Sequence, residues 1–234
     1  MKALTFKVRF ITAQFKDHTS KLTRRTYLIP PPSVVAGIFG AILGLKRKEL
    51  AELSKGMLAG AELKSLNGRI VTLARMFKFK EMQAILTIKE SEELYMPEYK
   101  FAITSNNEPL IDEGIRRLRN FDFEYEIFGG NDYHFIEFIG EPRIAKIVQD
   151  REGYGYCPRE YFERIEAESF NITYNTGAIE EMKSPIVIPV MFLANVNKEF
   201  IQVYGAKIIT KRELNVVDDG ESKIFVYEVN PFLV

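Results

Sequence analysis

FKVRFITAQFKDHTSKLTRRTYLIPPPSVVAGIFGAILG, residues 6–44, changes pattern twice within one stretch. It opens in alternation: with Leu4 just upstream, Phe6, Val8 and Phe10 share one face and Lys7 and Arg9 the other. Period two with one apolar face predicts a half-buried strand. The middle is polar and basic, and Pro30, Pro31 and Pro32 then fix an extended approach to an apolar run. From Ser33 that run is long enough for a helix, with Ser33 as the expected cap and proline tolerated at the first turn. Gly37, Gly40 and Gly44 each cost about 1 kcal/mol of helix propensity relative to Ala. The expected compensation is close approach of this helix to a sheet. A second, short amphipathic helix in KRKELAELSKG, residues 46–56, stops at Gly56.

Working outward, strands are expected over Leu58–Leu66 and Arg69–Phe79, joined at Asn67-Gly68, a strong hairpin signal between extended segments. Met82–Lys89 and Tyr99–Thr104 read as further strands. Glu108–Asn120 reads as a helix, with Leu110, Ile111, Ile115 and Leu118 at helical spacing and Arg116, Arg117 and Arg119 near its C-terminus. Phe128-Gly129-Gly130-Asn131 breaks the chain before strand character returns over Tyr133–Val148. Cys157–Ser169 reads as helical or irregular. Pro185–Leu193, Phe200–Ile209 and Lys223–Val229 read as strands of a smaller β-rich appendage. The order strand, helix, strands, helix, strand predicts an α+β, ferredoxin-like or RNA-recognition-type (RRM-type) domain over residues 1–150, with a β-rich region over 151–234.

Composition excludes several function classes. The 234-residue chain has a single cysteine, Cys157, which rules out a disulfide scaffold and a cysteine-built zinc site. The longest apolar candidate, Val34–Leu45, falls short of the roughly 20 residues of a membrane span and carries three glycines. The alternating start MKALTFKVRF lacks the continuous apolar stretch of a secretory signal, so a soluble, cytoplasmic protein without membrane partners is expected. No Walker loop, HExxH or GxSxG is present, and no metal or cofactor is expected. Net charge is zero, with 32 basic and 32 acidic residues, yet the distribution is uneven. Residues 1–80 hold 16 basic and 4 acidic side chains, a net of +12, which leaves −12 for the remainder. Such asymmetry points either to a polyanion partner for the first third or to mutual neutralisation within one fold.

The opening stretch, with its aromatic-rich strand, Thr- and Arg-rich loop, Tyr27 before the prolines and Pro-Pro-Ser step into a small-residue helix, resembles one CRISPR-associated family. This is the Cas5-type member of the RAMP superfamily, which holds the 5′ handle of the guide RNA (crRNA) in type I Cascade-like complexes. FGGNDYHFIEFIGEPRIAKI, residues 128–147, looks like that family's glycine loop and last domain strand. The resemblance covers roughly residues 1–150. It implies a ferredoxin-like domain with a β-hairpin thumb, a single-stranded crRNA handle as ligand, and a backbone subunit and a large subunit as protein partners. Most members are not enzymes; one subtype cuts precursor RNA without metal, using tyrosine, lysine and histidine.

The residues themselves suit RNA holding, which needs cations along phosphates and flat side chains against bases. Lys16, His18, Lys21, Arg24 and Arg25 cluster before Tyr27, beside a strand whose outer face offers Lys7 and Arg9. Arg75, Lys78 and Lys80 interleave with Phe77 and Phe79, which form either a stacking stripe or one buried strand face. Gly129, Gly130 and Asn131 form either a backbone cradle for phosphate or a plain turn. His134, between Tyr133 and Phe135, reads as a packed strand histidine. Two readings follow: a non-catalytic RNA-binding subunit with no catalytic residue, or a metal-independent endoribonuclease in which His18 or His134 moves a proton with Tyr27 or Lys16 in support.

Overall fold

The protein is described here by a computed structural model, which covers residues 2–17, 19, 23–80, 83–131, 133–167, 179–180, 185–192 and 198–229. Strands β1 (Lys2–Phe10), β2 (Thr12–Ala13), β3 (Phe15–Lys16) and β4 (Thr26–Tyr27) precede helices α1 (Pro32–Leu43) and α2 (Arg47–Leu53). Next come β5 (Met57–Ser65), β6 (Gly68–Lys80), β7 (Gln83–Tyr95), β8 (Glu98–Ser105) and helix α3 (Glu108–Asn120). β9 (Ile136–Ile139), β10 (Arg143–Pro158), β11 (Phe162–Glu166) and β12 (Ile179–Glu180) follow. β13 (Ile186–Phe192), β14 (Lys198–Asp218), β15 (Lys223–Phe225) and β16 (Tyr227–Glu228) complete the order.

One large mixed sheet runs β11-β14-β15-β10-β1-β8-β5-β16, with β13 on β14 and β9 on β1. The alternation of β1 explains its first face: Leu4, Phe6, Val8 and Phe10 are all buried, together with Val35 and Phe39 of α1 and Ile111 and Ile115 of α3. The other face of β1 was expected to be solvated. Instead Ala3 is buried with Leu58, Ala102 and Ala145 beneath Val217, Ile224 and Val226 from the end of the chain. The half-buried strand is thus a central one, because the C-terminal strands cover its second face. Lys7 and Arg9 on that face are engaged, Lys7 with Glu221 at 3.7 Å and Arg9 with Glu98 at 2.6 Å.

A second sheet, β12-β6-β7-β2, is dominated by the β6–β7 hairpin. Its ladder is unbroken from Gly68↔Tyr95 to Lys80↔Gln83, thirteen residues per strand, about 40 Å at strand rise. β3 and β4 form a separate two-stranded ribbon beside it.

Several local expectations change. Asn67-Gly68 does not close a hairpin between its flanking strands: β5 pairs with β8 in the large sheet while β6 turns away to pair with β7. Helix α1 starts at Pro32 with Pro31 as its cap residue, so Ser33 lies inside the first turn. Gly40 serves helix packing and Gly44 termination rather than contact with a sheet, and a Cβ at Gly37 would meet nothing within 4 Å. A Cβ at Gly40 would lie 3.3 Å from Leu50 of α2, and Gly44 ends the helix at φ 75°. In the acidic stretch, Cys157 lies in β10, which ends at Pro158, a short 3-10 turn covers Arg159–Tyr161, and Phe162–Glu166 is strand β11. Among the described residues no helix is long and apolar enough to cross a membrane.

Candidate nucleic-acid interface

The basic loop leaves the fold between β3 and β4 and returns along the outer edge of β7. Arg24 donates its N–H to the Glu90 carbonyl at 2.8 Å and accepts from Glu92 N–H at 2.9 Å, adding one parallel rung to the hairpin at Ser91. Lys16 and Arg25 are exposed at the loop's two shoulders, held together by Asp17 N–H donating to the Arg25 carbonyl at 2.8 Å. Asp17 accepts from the Thr19 N–H and hydroxyl. The Arg24 guanidinium acts on Glu93: burial pushes that carboxyl up, and Arg24 opposes the shift. His18 and Lys21 lie outside the described residues.

Gln14, which no motif singled out, is the hub of the region. Its buried side-chain amide donates to Ser91 Oγ at 2.9 Å and to the Glu92 carbonyl at 2.8 Å, while its Oε1 accepts from Asn131 Nδ2 at 3.1 Å. Its backbone N–H donates to the Gly129 carbonyl at 2.7 Å. Four bonds therefore lock the root of the basic loop, the foot of the hairpin and the glycine loop into one junction. Buried polar groups satisfied this fully hold their surroundings rigid. The available signal was only a polar residue between Ala13 and Phe15.

The glycine loop sits on that hub by shape. A Cβ on Gly129 would lie 2.9 Å from the Thr12 carbonyl oxygen, and one on Gly130 would lie 2.0 Å from that of Gln14. Gly129 N–H donates to the His134 carbonyl at 2.8 Å, so this amide is already engaged and does not point outward to a phosphate. Gly130 is exposed at φ 116°. Asn131 also reaches the Tyr133 hydroxyl.

Tyr27 faces inward. Its ring packs edge-on against Phe192 at 5.1 Å and its hydroxyl donates to the Met191 carbonyl, so it joins β4 to β13 rather than meeting solvent. His134 is fully buried with Nδ1 2.6 Å from Thr12 Oγ1, packed as expected but in the loop before β9 rather than in a strand. Cys157 is buried and its thiol is pushed up to about 12 by burial.

On the hairpin, cross-strand pairs define the faces. Arg69, Val71, Leu73, Arg75 and Phe77 share a face with Leu94, Glu92, Glu90, Ile88 and Leu86. Leu73 is 73% and Phe77 67% exposed, and Ile88 and Leu86 are exposed beside them. This open face is mixed, its exposed Leu73, Phe77, Leu86 and Ile88 standing with Arg75 and Glu90, and Arg69 and Glu92 nearer the foot. The interleaved pattern in RMFKFK therefore separates: Arg75 stands with Phe77, while position 78 falls on the opposite face. The side chains of Lys78, Phe79 and Lys80 lie outside the described residues. At the hairpin foot the same face runs into a cavity of about 570 Å3 lined by Arg25, Arg69, Glu92, Leu94 and residues of β13 and β14. No group of three or more His, Cys, Asp or Glu able to hold a metal occurs among the described residues.

Comparison with known proteins bears on this arrangement. A family model described as CRISPR-associated protein (Cas_Cas5) matches residues 3–162. A solved structure titled as a CRISPR protein from Archaeoglobus fulgidus is similar in fold, with a TM-score of 0.50 at 8% identity, covering 97% of this chain and 99% of that one. A chain of a CRISPR RNA-guided surveillance complex aligns over 89% of this chain and 91% of its own, at 14% identity and a TM-score of 0.48. A further crystal structure, titled as a Cas protein, aligns at 16% identity with a TM-score of 0.40 over 59% of this chain, which spans 62% of that protein's length. No curated protein matches.

Proposed function

The chain belongs to the CRISPR-associated Cas5 family, and from that premise we propose that it is a non-catalytic RNA-binding subunit of a type I Cascade-like complex. It holds the single-stranded 5′ handle of crRNA and docks a backbone subunit and a large subunit, in the cytoplasm. In this reading β1, α1, β5, β8, α3 and β10 are the ferredoxin-like (RAMP) core over residues 1–150, the β6–β7 hairpin is the thumb, and residues 151–234 are the β-rich appendage. Lys16, His18, Lys21, Arg24 and Arg25 track phosphates from the loop, Lys78 and Lys80 from the hairpin, and Gly130 and Asn131 line the path between.

The observation that carries this reading is the Gln14 junction. It gathers the basic loop, the glycine loop and the hairpin foot at one place, and the basic loop belongs to residues 1–80, which hold a net charge of +12. Cations fixed along a rigid groove bind a phosphate backbone mainly by releasing its counterions.

The test is a titration of end-labelled repeat-derived RNA against a scrambled strand at two salt concentrations, with the same samples run on a denaturing gel in EDTA. Salt-sensitive, repeat-preferring binding of intact RNA is expected. For Arg25→Ala the slope of log affinity against log salt falls by about 0.7, the loss of one single-strand phosphate contact. An unchanged slope removes the loop from the interface, and a single EDTA-resistant cut replaces the holding role with a processing nuclease.

A further inference from the structure

The cavity at the hairpin foot has the chemistry of a site for one nucleobase. One wall is apolar, made by Leu94 of β7 and by Ile188, Val190 and Met191 of β13. Its charged lining is Asp17 and Arg25 from the basic loop, Arg69 and Glu92 from the hairpin, and Glu199 from β14. The lining is mixed, an apolar wall facing several polar and charged side chains, and about 570 Å3 accommodates a nucleotide with room to spare.

Three features narrow the ligand. The open face carrying Leu73, Arg75, Phe77 and Ile88 continues into the cavity through Glu92 and Leu94. A strand lying along that face therefore reaches the cavity without turning. The exposed Arg25 guanidinium in the lining suits an attached phosphate. The third feature is Glu92. Its carboxylate is 13% exposed, its Oε1 lies 3.5 Å from Arg69 Nη1, and its backbone is fixed on both sides by Arg24 and Gln14. A carboxylate only accepts, so it selects a base edge made of N–H donors. Guanine presents two neighbouring donors on its Watson–Crick edge, and uracil presents a single donor between two acceptors.

We propose that this cavity is a specificity pocket for a single unstacked base with an amino edge, guanine best matched, read by Glu92 and clamped between the hairpin foot and β13. The proposal rests on the RNA-holding reading above and adds to it a contribution from the C-terminal region. Residues 188–202 lie beyond the stretch matched by the family model, so the preference belongs to this chain rather than to the shared segment.

The test uses defined strands. Octauridine and octauridine with one central guanosine or inosine are titrated against the full chain, the Glu92→Gln variant and the Met191→Trp variant, which fills the slot. Guanosine is expected to tighten binding on the order of ten-fold, the range of a good bidentate base contact. Inosine, which lacks the 2-amino group, loses most of that gain. Glu92→Gln and Met191→Trp each remove the preference while octauridine affinity and its salt slope stay near those of the parent. Equal binding of the three strands by the parent chain overturns the pocket and leaves RNA holding intact. So does a guanosine preference that survives in a Glu92→Gln variant with an unshifted melting curve. Absence of binding to any of these strands and to repeat RNA overturns RNA holding, and the pocket with it.

Discussion

Gly130 shows how a single residue fixes the interface. It sits at φ 116°, and a Cβ there would lie 2.0 Å from the carbonyl oxygen of Gln14. Both the dihedral and the contact demand glycine, and the atom struck is backbone, which has little room to give. Gly130→Ala is expected to lower stability by about 2 kcal/mol, within the range for strained backbone, or about 4–8 °C in Tm for a chain of this size. It should also weaken RNA affinity, because Gln14 cannot shift without releasing Ser91, Glu92 and Asn131. Thermal melts and the repeat-RNA titration measure the two together. A variant that melts with the parent would show that the loop is not seated on β2 and β3 as described.

At the scale of an element, the β6–β7 hairpin carries two kinds of apolar residue that look alike in sequence. Leu94 is buried where the foot joins the core, so Leu94→Ala is expected to cost about 2–5 kcal/mol. Phe77 stands out on the open face, so Phe77→Ala should leave the melting curve within about 0.5 kcal/mol. If a base stacks there, the same change costs about 1–3 kcal/mol of RNA affinity; affinity unchanged alongside stability would make the face a protein-docking surface. Period two told which residues share a face, but not which face is covered, because cover comes from other parts of the chain. That limit recurs across the fold. The alternation of Leu4, Phe6, Val8 and Phe10 was legible, whereas the burial of Ala3 and Thr5 opposite them was not, since Val217 and Ile224 arrive from more than 200 residues away. Asn67-Gly68 was read as a local turn, yet its flanking strands belong to different sheets. The basic loop and the glycine loop could be seen as charge and as breakers. Gln14, which joins them, has neither charge nor special backbone, and only long-range hydrogen bonds reveal it.

Over the whole molecule, the covering of β1 depends on ions as well as apolar contact. Strand β10 continues through residue 150, where its register on β14 shifts, and pairs with both β1 and the 21-residue β14. The loop after β14 is pinned back to the central strands by a buried pair: Lys100 Nζ on β8 lies 2.6 Å from Asp219 Oδ2, with both side chains essentially inaccessible. Thr5 Oγ1 donates to the same carboxylate, as do the N–H groups of Glu221 and Ser222. Burial pushes the Asp219 carboxyl up, but Lys100, Thr5 and the two backbone donors outweigh it and hold the group below the ordinary Asp range. A carboxyl depressed in the folded state stabilises fully above its unfolded value, about 3.9, and loses that contribution as pH falls through the lower folded value. Asp219→Asn leaves Lys100 buried with the single carboxylate of Glu221 at 2.9 Å. The expected cost at neutral pH is about 3 kcal/mol, the lower end for breaking a buried pair. Below about pH 4 the difference between parent and variant should begin to shrink, since Asp219 of the unfolded parent takes up a proton there while the folded carboxylate stays ionised. Because the pair links β8 to the end of the chain across the continuous sheet, the melt should remain one transition in both proteins. Calorimetry at pH 7 and pH 3 reads all three quantities. A gap that is constant with pH would deny Asp219 its charge in the folded state. A second transition in the variant would mean that residues 151–234 fold as a unit apart from the sheet they complete.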